Sequence, residues 1–218
     1  IKGSLYALAA FFGMAAFGIT TKVSLEGGSF FWVSFIVYLT GTAALLPYIV
    51  KKGADYLRSE HYSLQLGRAL FGTLASFCYT VSIHYIPIVN GTLLFNTAPL
   101  FIPLLATLFL KEKILKSTWL AVLIGFVGVI IIIKPTEEIF TQTGNLIGIL
   151  SGISLAVAYL LMKRLTATDP GIRIIFYYLG IGTLIQIPAL FFADALPTPA
   201  SCLYSILGGL FLVGAQLC

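Results

Sequence analysis

The 218 residues are 59% hydrophobic and only 10% charged, with a mean hydropathy of +1.00. Soluble domains carry about 45–50% apolar and about 25% charged residues, so this composition excludes an ordinary water-soluble fold and intrinsic disorder. The net charge of +5 does not indicate nucleic-acid binding, because the thirteen Lys and Arg residues are spread over short segments between long apolar runs. The three cysteines lie inside such runs and are expected to be packing residues rather than disulfides.

The apolar runs predict transmembrane helices, since about 20 apolar residues cross about 30 Å of hydrocarbon. Eight runs qualify, roughly residues 3–21, 29–50, 67–86, 88–110, 117–133, 145–162, 174–193 and 199–218. An open sheet is too costly in lipid, and unbroken runs such as 119–133 lack the alternation of barrel strands. The sequence therefore predicts an all-α membrane protein, a bundle of transmembrane helices. The longest connection, 51–66, is predicted to be a loop.

The Lys and Arg residues indicate an orientation, because cytoplasmic segments carry an excess of these residues. With the N-terminus in the cytoplasm, only Lys22 and Lys134 fall outside. The other eleven fall inside: Lys2, Lys51, Lys52, Arg58, Arg68, Lys111, Lys113, Lys116, Lys163, Arg164 and Arg173. We therefore expect a multi-pass protein of the cell membrane with a cytoplasmic N-terminus.

Two stretches of the chain match at an offset of 141 residues, and their predicted helix boundaries also correspond. The matched pairs are Gly3 and Gly144, Leu5 and Leu146, Ala15 and Ala156, Lys22 and Lys163, Phe35 and Phe176, Gly41 and Gly182, Thr42 and Thr183, and Pro47 and Pro188. This predicts a first repeat over 1–134, with five helices, and a second over 144–218, with three. Because five is odd, the second copy would be inverted in the bilayer, as in many secondary transporters, where substrate binds near the midplane.

The second predicted copy has three helices where the first has five. We therefore expect the chain to be part of a ten-helix protein with eight helices present. The alternative is a protein of eight helices.

Polar side chains inside the third predicted span are candidate substrate-binding residues, since polar groups in lipid need partners. Thr73, Ser76, Tyr79 and Thr80 are spaced so that most share one stripe of a helix. Ser76 lies about 13 Å from the inner end at 1.5 Å per residue. The stripe could be a cavity wall, or its hydroxyls could bond to carbonyls of their own helix.

The fourth span contributes Asn96, which shares a helix face with Thr92, Pro99 and Pro103. Each proline removes one backbone donor and so frees a carbonyl, near Phe95 and near Pro99. The amide and these carbonyls could form a hydrogen-bonding site for substrate. Alternatively, Asn96 could bond to a neighbouring helix.

The sixth span is predicted to face the first repeat with Ser154 and Tyr159. Gly148 and Gly152 in the same span form a G-x-x-x-G pattern, which predicts the close approach of another helix.

Several elements in order resemble the EamA family of the drug/metabolite transporter superfamily. They are Tyr85 at the end of the third span, Pro99 in the fourth, Leu110-Lys111-Glu112 in place of L-G-E, and Gly125 and Gly128 in the fifth. Two features depart from the family pattern: Lys111 replaces a glycine, and no arginine occurs in 31–47. The resemblance implies a ten-helix carrier of small organic metabolites, without naming the metabolite. From the sequence we expect no cofactor, and the sequence leaves the oligomeric state open.

Other functions are less compatible with the sequence. No Asp or Glu lies inside the eight runs, so they supply no buried carboxylate for proton coupling. An intramembrane metalloprotease or aspartyl protease would need an H-E-x-x-H helix or two buried Asp residues, and neither is present. We therefore expect no enzyme and no metal site. The remaining alternative is a non-transporting scaffold or receptor, which predicts no midplane cavity.

Overall fold

The computed structural model describes residues 2–110, 115–133 and 143–218. Its helices are α1 (Lys2–Leu25), α2 (Phe30–Lys52), α3 (Tyr62–Tyr85), α4 (Ile88–Phe95), α5 (Ala98–Leu110), α6 (Lys116–Ile133), α7 (Thr143–Leu165), α8 (Gly171–Gln186) and α9 (Pro199–Leu217). Short 3₁₀ helices cover Ala54–Leu57 and Pro188–Phe192. Among the sequence features used above, Lys111, Glu112, Lys113 and Lys134 lie outside the described residues.

The predicted all-α membrane fold is confirmed. Within the described ranges, seven helical segments are long and apolar enough to cross a membrane, with α4 and α5 together forming one of them. The apolar helix α6 has 18 residues and therefore covers about 27 Å. No strand occurs in the part of the chain described here.

The helix ends follow local sequence signals. Proline fixes φ and lacks an N–H, so Pro170 precedes the first turn of α8, and Pro199 occupies the first turn of α9. The side chain of Thr198 caps α9 by accepting a hydrogen bond from the Ser201 amide. At the end of α2, Gly53 takes a φ of +85°, a conformation that favours glycine.

The predicted 51–66 loop is only partly correct. Residues 54–57 form a 3₁₀ helix, and α3 begins at Tyr62, before the predicted start at 67. The polar side chain of Gln65 is nevertheless buried, because its amide donates to the Asp169 carboxylate at 3.2 Å. Hydropathy alone does not predict that a helix begins with a polar turn whose side chains are buried against other parts of the protein.

The helices pack in two long pairs, α3 along α7 and α1 along α9, while α2 contacts both α8 and α9. Helix α3 is the most buried span, and α4 and α5 pack against α7. The outer faces of α1 and α6 carry exposed apolar side chains, among them Leu8, Phe12, Leu123 and Ile131. Such faces are expected to contact lipid. The buried faces enclose the polar residues described next.

Candidate substrate-binding site

A cavity of about 160 Å³ lies among α1, α3, α4 and α7. Its walls are Phe11, Met14, Ala15 and Phe17 of α1, Tyr79 of α3, Thr92, Phe95 and Asn96 from α4 and its C-terminal end, and Tyr159 of α7. A wider groove of about 470 Å³ between α1 and α4 shares several of these residues, including Asn96. Polar groups therefore enter a largely apolar cavity at a few defined points, as in small-molecule sites.

Tyr79 is fixed in the cavity wall by its neighbours. It is 3% exposed, and its hydroxyl lies 3.1 Å from Thr92 Oγ1. Its ring packs on Phe95, with centroids 4.8 Å apart. A Cβ on Gly18 of α1 would lie 2.6 Å from the Tyr79 hydroxyl, so only glycine permits this approach.

Asn96 stands at a break in the fourth predicted span. Helix α4 ends at Phe95 and α5 begins at Ala98, since Pro99 has no N–H to donate to the Phe95 carbonyl and so interrupts the helical hydrogen-bond ladder. Pro103, by contrast, lies inside α5. Asn96 is exposed, and its amide makes no side-chain hydrogen bond to the described residues. The amide is therefore available to a ligand and does not join two helices.

Helix α7 meets this break through the predicted glycine pattern. A Cβ on Gly152 would lie 2.6 Å from the Leu94 carbonyl oxygen and 2.5 Å from Thr97 Oγ1. A Cβ on Gly148 would lie 2.7 Å from the Leu94 side chain. The predicted close helix approach is confirmed, and it brings Tyr159 to the cavity.

Three of the five predicted site residues, Tyr79, Asn96 and Tyr159, line one cavity. The other two lie outside its walls: Ser154 is buried on α7, and Ser76 is buried on α3. The Ser76 hydroxyl lies 3.0 Å from the Tyr178 hydroxyl of α8, rather than bonding back to its own helix. Thr80 does bond back, donating to the Ser76 carbonyl at 3.0 Å.

A second polar cluster lies in the core along the same stripe of α3. The hydroxyls of Tyr38 and Tyr178 are 2.5 Å apart, and Tyr38 also reaches the Gly72 carbonyl at 3.3 Å. The guanidinium carbon of Arg68 lies 4.3 Å from the centroid of the Tyr178 ring. Tyr178 and Tyr79 belong to one buried hydrophobic core, and Tyr159 of the cavity wall packs against it.

Arg68 is 2% exposed, and its Nε and Nη1 atoms have no hydrogen-bond partner among the described residues. Burying an ionised side chain costs several kcal/mol. A cation–π contact returns about 2 kcal/mol when desolvated, so the Tyr178 ring offsets only part of this cost. The sequence places Arg68 with the interfacial cations, because it lies at the edge of an apolar run. The structure corrects this: Arg68 is a core residue.

The sequence does contain a pattern that indicates the core position of Arg68. Arg68, Gly72, Ser76 and Tyr79 follow one another at spacings of four, four and three, so Arg68 continues the predicted polar stripe toward the inner end of α3. Hydropathy does not identify Tyr178, its partner on α8, because tyrosine is common at membrane interfaces.

A third polar cluster joins the connection before α3 to the start of α8. The Asp169 carboxylate accepts hydrogen bonds from Ser59 at 2.7 Å, from Gln65 at 3.2 Å and from Arg173 at 2.5 Å. Burial raises the pKa of Asp169, but these hydrogen bonds and the charge of Arg173 outweigh it, so the pKa lies below its usual value. Arg173 also donates to the Tyr56 carbonyl at 2.5 Å. These contacts link the connection before α3 to the start of α8.

Residues 1–134, more than half of the chain, match the EamA-like transporter family. The chain belongs to this family. The predicted resemblance is thereby confirmed, and the relatives of this EamA-like chain carry transporter names.

The pseudopaline exporter CntI of Pseudomonas aeruginosa is 27% identical over 189 residues, which cover 83% of this chain and 66% of that protein. The S-adenosylmethionine uptake transporter of Rickettsia bellii is 30% identical over 161 residues, covering 73% and 54%. The riboflavin transporter of Brucella anthropi is 30% identical over 168 residues, covering 77% and 58%. The chain thus spans between about half and two thirds of the length of these relatives.

Proposed function

We propose that the protein is a multi-pass membrane transporter that carries a small organic metabolite by alternating access. The observation that carries this proposal is the cavity that gathers Tyr79, Asn96 and Tyr159 from three separate chain segments. Membership of the EamA-like family and the transporter names of its relatives support it. No enzymatic role is proposed, since the site offers orienting groups rather than a nucleophile with its base.

We further propose that 1–134 and 144–218 are inverted repeats, with the second one partial. Several contacts support a pseudo-two-fold axis between α2 and α8. The Thr42 and Thr183 hydroxyls are 3.3 Å apart, and the two residues correspond at the 141-residue offset. Thr42 also donates to the Tyr38 carbonyl and Thr183 to the Leu179 carbonyl, and these acceptors are 141 residues apart as well.

The helix pairs support the same arrangement. Under the repeat, α1 corresponds to α7 and α3 to α9, so the pair α3 with α7 corresponds to α9 with α1. The corresponding glycines Gly41 and Gly182 meet matching partners, Leu179 for the first and Tyr38 for the second. Repeats of this kind bind substrate where their copies meet.

In this proposal, Tyr79 and Asn96 orient the substrate from the first repeat, while Tyr159 faces them from the second. Tyr79 lies about 9 Å from the end of α3, and Asn96 about 12 Å from the start of α4, so they act at similar depths. Ser76 and Ser154 remain candidate contacts for a conformation in which α7 or α8 has moved.

The size of the site fits a small metabolite. Ligand sites usually occupy about 300–1,000 Å³. The cavity of about 160 Å³ falls below this range, but the adjoining groove of about 470 Å³ lies within it. A ligand would therefore occupy both spaces, with the Asn96 amide at their junction.

We place the protein in the cell membrane with its N-terminus in the cytoplasm, on the distribution of Lys and Arg. The distribution of Lys and Arg stays strongly asymmetric when Arg68 is counted as a core residue. The relatives include an exporter and an uptake transporter, so we propose no direction.

Counterflow exchange tests the proposal. The full-length protein would be placed in proteoliposomes preloaded with amino acids, nucleosides, riboflavin or S-adenosylmethionine, and entry of the labelled solute would be followed. We expect exchange of one solute class, reduced in Asn96→Ala and Tyr79→Phe. Matched controls are Asn90→Ala on α4 and Tyr204→Phe on α9, both outside the cavity. Folded protein that exchanges no solute would favour a scaffold or receptor.

A further inference from the structure

Resting on the transport function proposed above, we propose that Arg68 binds a carboxylate of the transported molecule. The substrate would then be an organic acid or an amino-acid-like zwitterion. Arg68 would be the anion-binding end of the site, and the cavity around Tyr79 and Asn96 would hold the rest of the molecule.

The unsatisfied donors of Arg68 are the first observation. The side chain is 2% exposed, yet Nε and Nη1 find no hydrogen-bond partner in the part of the chain that the structure describes. A guanidinium presents its N–H groups in a planar fork that matches a carboxylate. The guanidinium carbon lies over the Tyr178 ring, 4.3 Å from its centroid, and this contact gives Nε and Nη1 no hydrogen-bond acceptor.

Two partly buried cations among the described residues do have partners, which sets Arg68 apart. Arg173 pairs with Asp169, and the ammonium of Lys22 donates to the Ile83 carbonyl. None of the helices α1 to α9 contains an Asp or Glu within its bounds, so no neighbouring helix supplies a counter-charge to Arg68. The charge thus matches an anion brought by the ligand.

The surrounding groups favour a carboxylate over a phosphate. The nearby donors are neutral hydroxyls, those of Ser76, Tyr38 and Tyr178. One guanidinium balances the single charge of a carboxylate, whereas a phosphate monoester carries about −1.5 to −2 at pH 7. A lipid phosphate is disfavoured as well, because Arg68 is covered by the protein core.

The distances allow one small molecule to reach both ends. Arg68 Nη1 lies beside Gly72, where an added Cβ would collide with it. From Gly72 to Tyr79 is seven residues, or about 10 Å along α3. An amino-acid-like metabolite with a modest side group spans this distance. Since Tyr178 belongs to α8, a movement of α8 relative to α3 would open Arg68 to the cavity.

The test uses the full-length protein in proteoliposomes and pairs of solutes that differ only in a carboxylate and its carboxamide. We expect wild type to exchange the acid at least about tenfold better than the amide, a 1.4 kcal/mol difference. Arg68→Gln should raise KM for the acid by at least that factor and abolish the preference. Arg68→Lys, which keeps the charge but loses the fork, should raise KM by less. Arg58→Gln, in an exposed ion pair, is the matched control and should change nothing.

The outcomes separate this inference from the function on which it rests. No exchange of any solute by folded wild type would overturn the transport proposal itself. Exchange without preference for the acid, or a preference that survives Arg68→Gln, would overturn the carboxylate site alone. So would exchange confined to phosphate esters. If Arg68→Gln does not fold, the Arg68→Lys KM and the thermal stabilisation of wild type by the acid but not the amide decide the question.

Discussion

Gly152→Ala should destabilise the protein, although alanine is the better helix former. The added Cβ would lie 2.6 Å from the Leu94 carbonyl oxygen and 2.5 Å from Thr97 Oγ1. The Leu94 carbonyl is backbone at the break between α4 and α5, and it already accepts from the Thr97 hydroxyl at 2.5 Å. Relief therefore requires the backbone of one helix to shift.

The expected magnitude follows from two opposing effects. Overpacking of this kind costs about 1–3 kcal/mol. Replacing glycine by alanine inside a helix returns about 0.5–1 kcal/mol. The net loss should thus lie between about 0 and 2.5 kcal/mol, and we expect the upper half of this range because the close contact is with backbone. Because the shift moves the segment that carries Asn96, exchange activity should fall as well.

Thermal or denaturant unfolding of the purified protein in one detergent would measure this loss. The matched control is Gly214→Ala on α9, where nothing lies within 4 Å of the added Cβ. The control should be as stable as wild type or slightly more stable. If Gly152→Ala and Gly214→Ala unfold at the same temperature or denaturant concentration, α7 does not pack closely on the break between α4 and α5.

Two further predictions concern stability. Asp169→Asn should be less stable than wild type at pH 7. The folded-state pKa of Asp169 is lowered, so the carboxylate stabilises the protein fully above the unfolded pKa of about 3.9. This stabilisation disappears as pH falls through the lower folded pKa. The stability difference between wild type and Asp169→Asn should therefore become smaller in thermal unfolding at acid pH. Asp55→Asn, in an exposed pair, should show no such difference. At the proposed axis, Gly182→Ala should cost more than Gly41→Ala in the same melts, since its Cβ collides with Tyr38 and Thr73, whereas Gly41 meets side-chain methyl groups at 3.0–3.3 Å.

The membrane fold could be predicted because its signal is local. Run length and hydropathy place each span within a few residues, and Pro99 indicates the break near Phe95. The start of α3 could not be predicted in this way. Its first turns are polar, and the partners of their buried side chains, Asp169 for Gln65 and Tyr178 for Arg68, lie about a hundred positions away in the sequence.

The depth of the site residues in the bilayer could be predicted from the sequence, but the neighbouring helix that each side chain faces could not. Helical rise gives the height of Tyr79, Ser76 and Ser154 in the bilayer, but not which neighbour each one faces. That choice depends on how α7 packs against α3 and α4, which the glycines of α7 set. Tyr79 therefore reaches the cavity, while Ser76 turns toward α8.

The most direct test of transport by this cavity is counterflow exchange with wild type, Asn96→Ala and Asn90→Ala side by side. The two asparagines lie in the same segment, but only Asn96 lines the cavity. If this cavity binds the substrate, wild type and Asn90→Ala should exchange one metabolite class, and Asn96→Ala should show a raised KM. Equal exchange by all three proteins would contradict the assigned site, and no exchange by any of them, when folded, would contradict transport.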